Sequence, residues 1–280
     1  MRTVGIDLSA TARGTAVVAI DWTTSAGGIQ GHARLVCDSA DGSAGTEALL
    51  DALEDGHKVG IDCPFGWPSS FIAAVAAHGS RGPWPTDAEP EDRRELRLRA
   101  TDRHLADRYG VNALSVSSDR IGAVAMRWAA LVSRHERERG HGLIDRAGRG
   151  RLVEVYPALA VGLWGLATSE TAGYKRADPA ALLARRALLR ELTASNRVGE
   201  NGGDGPVLIP DGALVAAVEH PACGDDVVDA LVAALVAAAA CTPGGVEGPP
   251  APGSPQGQLA ALEGWIAVPT VPLDEVAPVP

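Results

Sequence analysis

The sequence predicts an α/β fold: a mixed five-stranded sheet flanked by helices and interrupted by a helical insertion. Three observations carry that expectation. The apolar runs Val4-Gly5-Ile6 and Val59-Gly60-Ile61 each stop at an aspartate, Asp7 and Asp62, as two buried strands ending at one sheet edge would. Three strand patterns precede the first helix pattern, so the sheet opens as an antiparallel meander before any crossover is made. Between the fourth and fifth strand patterns, residues 69–148 carry helical periodicity alone.

Residues 3–8 and 15–21 read as strands joined by the turn Ser9-Ala10-Thr11-Ala12-Arg13-Gly14, and residues 31–37 as a third. Asp41-Gly42-Ser43 caps a helix over 46–54, where Leu49, Leu50 and Leu53 share one face, and Gly56 ends it. Lys58–Asp62 is a short buried strand. Because it is reached through a helix it is expected parallel to its partner, and Pro64 and Pro68 stop it. Helices follow near 69–78, 91–109 and 119–139, separated by Gly and Pro clusters. Arg151–Tyr156 restores a strand, Pro157–Leu166 begins a helix with proline, and Pro179–Thr193 makes a stronger one. Gly199–Gly205 reads as a flexible loop and Asp225–Cys241 as the last long helix. Alanine is weak helix evidence here, because 23 arginines against 2 lysines suggest GC-rich coding. Residues 1–241 are thus expected to form one domain with its insertion. Residues 242–257 would be a Gly/Pro-rich linker, and 258–280 an edge strand at Trp265–Val268 plus a loose tail packing on the same domain.

The order β-β-β-α-β-(helices)-β-α is that of the ribonuclease H-like fold, which sets the first strand beside the fourth and the fourth beside the fifth. Neighbouring strands lie about 4.8 Å apart. Asp7, Asp62 and Glu154, the last lying within Leu152–Tyr156, would then line one sheet end, where ligands of open α/β sheets bind. Asp226 and Asp229, three residues apart, share a helix face that closes the site. A carboxylate left alone in a buried strand is costly, so it is paired, protonated or metal-bound. Two lysines in the whole chain offer few partners. Clustered Asp and Glu without Cys or His is the ligand chemistry of Mg²⁺ or Mn²⁺.

The runs VGIDLS around Asp7, GIDCPFGWP around Asp62, RATD at Arg99–Asp102 and VEVYPA around Glu154 stand beside YKRAD at Tyr174–Asp178, DDVVDALVAAL from Asp225 and EGWIAVP from Glu263. Together, over nearly the whole chain, they resemble domain of unknown function family 429, a set of predicted RNase H-like nucleases related to RuvC-type resolvases. The resemblance implies the fold and a metal-dependent hydrolysis of phosphodiester bonds in DNA or RNA. It places Asp7 as the first-strand acid and Asp226 and Asp229 as the D-x-x-D of the last helix. Resolvases present a glutamate after the fourth strand, whereas this chain offers Asp62 there and Glu154 one strand later.

The expected metal ligands are therefore Asp7, Asp62, Asp226 and Asp229, with Glu154 as a further catalytic candidate and Lys175, Arg99 and Asp102 as substrate-side candidates. Each has a structural alternative. Asp7 and Asp229 would otherwise be buried ion pairs, Asp226 an acid favoured by the helix dipole, and Asp62 an Asx-type turn before Cys63-Pro64. Glu154 would pair with Lys175 or an arginine, Lys175 would be structural or a surface residue, and Arg99 with Asp102 an intrahelical ion pair.

Composition excludes several classes. Hydrophobic residues make up 46%, yet no uninterrupted apolar run approaches the roughly 18 residues of a membrane span. The chain enters a strand without a signal-peptide pattern, so it is expected to be cytoplasmic. Cys37, Cys63, Cys223 and Cys241 lack zinc-site or disulfide spacing, and Cys63 has only His57 near it as a base for a nucleophile role. A net charge of −10 argues against simple nucleic-acid coating, but residues 81–151 carry fifteen arginines against eleven acids. That Arg-rich helical insertion is the candidate nucleic-acid surface; its bland alternative is a solvated, salt-bridged face. Two other functions compete with the nuclease. One is an ATP-dependent phosphotransferase or ATPase of the same superfamily, using GIDLSATARGTAVV as a phosphate loop; the other is a catalytically silent binding protein.

Overall fold

The structure is a computed structural model that describes residues 1–25, 28–85, 93–140, 142–193 and 206–279. The chain divides into two compact units. Unit 1 holds residues 1–62, 151–247 and 267–280, and unit 2 holds 63–150 and 248–266.

Unit 1 is a sheet built from β1 (Arg2–Asp7), β2 (Ala16–Ser25), β3 (Gly28–Cys37), β4 (Lys58–Asp62), β5 (Leu152–Glu154) and β6 (Val207–Pro210). Among the described residues it has six strands in the order β5-β4-β1-β2-β3-β6. β1, β2 and β3 form the antiparallel meander, while β4 lies parallel to β1 and β5 parallel to β4. The adjacency of first, fourth and fifth strands expected from the element order is therefore observed. The expected count of five strands is corrected to six: β6 adds itself parallel to the outer edge of β3. It is only four residues long and enters from a Gly-rich stretch, too little for a strand pattern to register.

The helices of unit 1 are α1 (Thr46–Asp55), α6 (Pro157–Leu163), α7 (Pro179–Thr193), α8 (Gly212–Val218) and α9 (Gly224–Ala239). α1 buries Leu49, Leu50 and Leu53, as its pattern requires. α9 is buried on all sides beyond its first turn, which is why its sequence is apolar around the full circumference and shows no polar stripe. Its alanines are there for fit. A Cβ on Gly5 would lie 1.9 Å from the Ala230 carbonyl oxygen, and one on Gly60 would lie 2.2 Å from that of Ala233. Gly5 and Gly60 are register partners, so the two V-G-I-D runs make a side-chain-free strip on which α9 rests its backbone.

Unit 2 contains α2 (Ser69–Gly79), α3 (Arg94–Arg97), α4 (Ala100–Tyr109), α5 (Ile121–Arg139) and α10 (Pro255–Glu263). The helix expected over 91–109 is broken at Leu98, which is extended, and its residues 91–92 lie outside the described residues. Phe65 stacks on Trp128 with ring centroids 4.8 Å apart. The buried carboxylate of Glu263 accepts from the Ser69 backbone and hydroxyl at 2.8 Å and from the Ala100 backbone at 2.7 Å. One side chain thus satisfies the first turns of α2 and α4.

The stretch 242–257, expected as a linker, holds β7 (Val246–Glu247) and the start of α10. The edge strand expected at Trp265–Val268 is instead β8 (Val268–Pro269), paired with β7 in a separate two-stranded sheet. The tail expected to be loose is anchored by Leu273 and Val276, both buried. The loop expected at Gly199–Gly205 lies outside the described residues. No helix among the described residues is long and apolar enough to cross a membrane.

Candidate metal centre

β1 and β4 run side by side in register, so their terminal residues Asp7 and Asp62 are direct partners at one end of the sheet. Both project toward α9, on the face shared with Gly5 and Gly60, because side chains alternate along a strand. The glycine strip lets α9 descend onto the sheet, and its first turns then deliver Asp229 over the two strand ends. One oxygen from each of Asp7, Asp62 and Asp229 lies within 4.8 Å of the other two. Asp7 and Asp62 are half-buried and Asp229 is buried.

Asp226 stands one helical turn before Asp229, at the first turn of α9, and its carboxylate adds to the repulsion that raises Asp7. Gly14, at φ +77° in the β1–β2 turn, lies beside it: a Cβ there would sit 4.0 Å from Asp226 Oδ2, an ordinary contact, so the turn's left-handed backbone is what favours glycine at this position. Glu154 is placed differently. It pairs with Ile61, the residue before Asp62, so the pleat sends its buried side chain to the sheet face opposite the aspartates. Its charge still contributes to raising Asp62.

Lys175 lies in the cluster, with its ammonium on Asp229 Oδ2. Its neighbour Tyr174 donates its hydroxyl to Asp229 Oδ1 at 2.8 Å. In the sequence Tyr174 is legible only as the first residue of the YKRAD run, which assigns it no role. The signal was its position beside the one lysine outside the strands, in a turn whose folding cannot be read from periodicity. Arg185 was also missed. It is buried in the middle of α7, donates to the Tyr174 carbonyl at 3.2 Å and to the His220 carbonyl at 3.2 Å, and among the described residues its Nε has no hydrogen-bond partner. It ties the Tyr174–Lys175 turn to the segment that leads into α9.

Arg99 and Asp102 belong to unit 2, where they bind each other. Asp102 accepts from Arg99 Nη2 at 2.9 Å, from Nε at 3.1 Å and from the Arg99 backbone at 2.9 Å, and Arg99 Nη1 donates to the Glu263 carbonyl at 3.2 Å. Both side chains are buried. This arrangement fixes the first turn of α4.

The electrostatics of the cluster follow from crowding. Burial, then Asp62, Asp229 and Asp226, push Asp7 well above the ordinary carboxylate range. Burial and Asp229 raise Asp62 to about 8, with Lys175 opposing. Burial and Asp225 raise Asp226 to about 7. Asp229 is raised by burial but restrained by Lys175 and Tyr174. Burial opposes the charge of Lys175, yet Asp229, Asp62 and Asp7 outweigh it and hold the ammonium above its ordinary range. A site that drives its own carboxylates toward protonation is short of positive charge. The donor set is oxygen only, which fits a hard divalent cation of the Mg²⁺ or Mn²⁺ type.

Neither the curated proteins nor the solved structures compared with the chain give a match. A family described as "Protein of unknown function (DUF429)" matches residues 5–254, a span that takes in all four aspartates, Glu154 and Lys175. The chain belongs to the DUF429 family.

Proposed function

We propose that the chain is a divalent-metal-dependent nuclease with a ribonuclease H-like fold, hydrolysing phosphodiester bonds of DNA or RNA. The observation that carries this reading is the convergence of Asp7, Asp62 and Asp229 within 4.8 Å, on strand ends and a helix far apart in sequence. The strand order β5-β4-β1-β2-β3 and the placement of α9 support the fold assignment. Asp7, Asp62 and Asp229 would hold Mg²⁺ or Mn²⁺, with Asp226 completing the acidic wall. A bound divalent ion supplies activation of the attacking water and neutralisation of the leaving oxygen. The chain's own residues do the rest. Tyr174 fixes the orientation of Asp229, and the glycine strip fixes the distance from α9 to the strand ends. The exposed guanidiniums of Arg93, Arg97 and Arg120 in unit 2 supply positive charge for a phosphate backbone.

The β1–β2 turn supports hydrolysis over the phosphotransferase alternative. Hydroxyls that a phosphate loop would present are used inside the turn: Thr11 donates to the Arg13 carbonyl at 2.6 Å and Thr15 to the Thr11 carbonyl at 2.7 Å.

The test is cleavage of single strands, duplexes, RNA–DNA hybrids and four-way junctions by the purified protein. Cleavage is expected in Mn²⁺ or Mg²⁺ and not in EDTA, and Asp7→Asn or Asp229→Asn should lower it by about 100-fold or more. No cleavage of any substrate, with ATP hydrolysis that Asp7→Asn abolishes, would replace this reading with the phosphotransferase.

A further inference from the structure

The two oxygens of Asp229 are held by two adjacent residues in different ways. Tyr174 donates to Oδ1 from a ring that is itself buried, and its backbone carbonyl is clamped by buried Arg185. Lys175 reaches Oδ2 on a four-carbon stem whose side chain is 43% exposed, against 6% for Asp229. The tyrosine is a fixture and the lysine is a tether. The other lysine, Lys58, begins β4, at the opposite end of the strand from Asp62, so Lys175 is the lysine that serves this cluster. An ammonium on Oδ2 and a divalent ion gathered by Asp7, Asp62 and Asp229 compete for the same oxygen and the same negative charge. At equal distance the divalent ion has twice the Coulomb attraction.

We infer that Lys175 is a tethered counter-ion: it neutralises the aspartate cluster in the metal-free protein and leaves Asp229 Oδ2 when the divalent cation enters. This inference rests on the metal reading above. The role is distinct from that of a ligand and from that of a residue needed only for folding. Tyr174 keeps Oδ1 throughout, so the carboxylate stays aimed while its second oxygen is handed over. The released ammonium remains beside the site on its stem, facing the next anion to arrive.

The experiment uses the full chain and two probes, Mn²⁺ by calorimetric titration and Mg²⁺ by NMR. Lys175→Met keeps the stem and removes the charge, and is expected to bind Mn²⁺ roughly three- to tenfold more tightly than wild type, since no ion pair must be broken. Lys175→Arg restores a cation and should return the affinity toward wild type. Because the chain has two lysines, [¹³Cε]lysine labelling gives two side-chain signals, assigned with Lys58→Arg. Saturating Mg²⁺ should move the Lys175 signal toward that of a free lysine and leave Lys58 in place, a readout available even if Lys175→Met does not fold. Mn²⁺ binding by wild type with equal or weaker binding by Lys175→Met, or a Lys175 signal unmoved at saturating Mg²⁺, overturns the exchange and leaves the metal site standing. No binding of Mn²⁺ by either protein overturns both.

Discussion

Asp7 and Asp62 are register partners at the end of a parallel strand pair, and an oxygen of each lies within 4.8 Å of the other. Such a pair ties stability to pH in a direction opposite to that of ion-paired acids. Asp62 and Asp226 titrate in the fold at about 8 and about 7, against an ordinary value of 3.8. From the ordinary value up to about 8, the folded chain holds protons that the unfolded chain has released, so stability falls as pH rises through that window. Calorimetry in EDTA from about pH 5 to about pH 9 is expected to show a falling Tm, and saturating Mn²⁺ should flatten the fall by replacing those protons. A Tm that rises over this range in EDTA would mean the aspartates are charge-compensated without metal. At the same scale, Asp7→Asn removes one of the crowded charges while keeping its shape. The metal-free Tm should rise and the Mn²⁺-induced gain should disappear, read from paired melts with and without the ion.

At the scale of elements, the decisive contact is helix backbone on strand backbone. Gly5→Ala puts a methyl into the Ala230 carbonyl and within 2.3 Å of the Ala234 nitrogen, atoms that cannot rotate away. We expect a loss of about 3 kcal/mol in chemical denaturation, together with loss of the Mn²⁺ response, because α9 carries Asp226 and Asp229 with it when it lifts. Glu263→Ala should cost about 2 kcal/mol by uncapping α2 and α4, again read by denaturation, without changing Mn²⁺ affinity in unit 1. The sequence made the V-G-I-D strands legible because a short apolar run ending in Asp has one comfortable home, a buried strand with its acid at the rim. It made α9 legible by length. The side of the sheet taken by Glu154 was hidden, since it depends on a register in which Glu154 meets Ile61 and not Asp62. α10 was hidden by its Pro- and Gly-rich start, and β6 by its brevity. The three-residue spacing of Arg99 and Asp102 made an ion pair legible, but not its form: Arg99 is the extended residue before α4 and Asp102 caps it, so the pair closes a helix start and does not lie within a helix.

For the molecule as a whole, charge is unevenly divided: a net −10 chain carries an arginine excess over residues 81–151. If that stretch holds a nucleic-acid backbone, binding to duplex DNA weakens with salt by about 0.9 in log–log slope for each phosphate contacted. Arg97→Glu and Arg120→Glu should each lower that slope by about 1 in a fluorescence-anisotropy titration while leaving Mn²⁺ stabilisation intact. An unchanged slope in both would place the substrate elsewhere. The division into units also bears on how the chain folds in time. Neither unit is a continuous stretch: unit 1 is left at residue 62 and resumed at 151, and unit 2 is left at 150 and resumed at 248. During synthesis at about 5–20 residues per second, β4 waits on the order of 5–20 s for its neighbour β5, and longer for α9. Through that interval the Gly5–Gly60 strip and the partnered aspartates are exposed on a half-made sheet. The nascent chain is therefore most open to aggregation and to chaperone capture after residue 62 has emerged and before α9 arrives, and a ribosome stalled in that window would display an unfinished sheet edge.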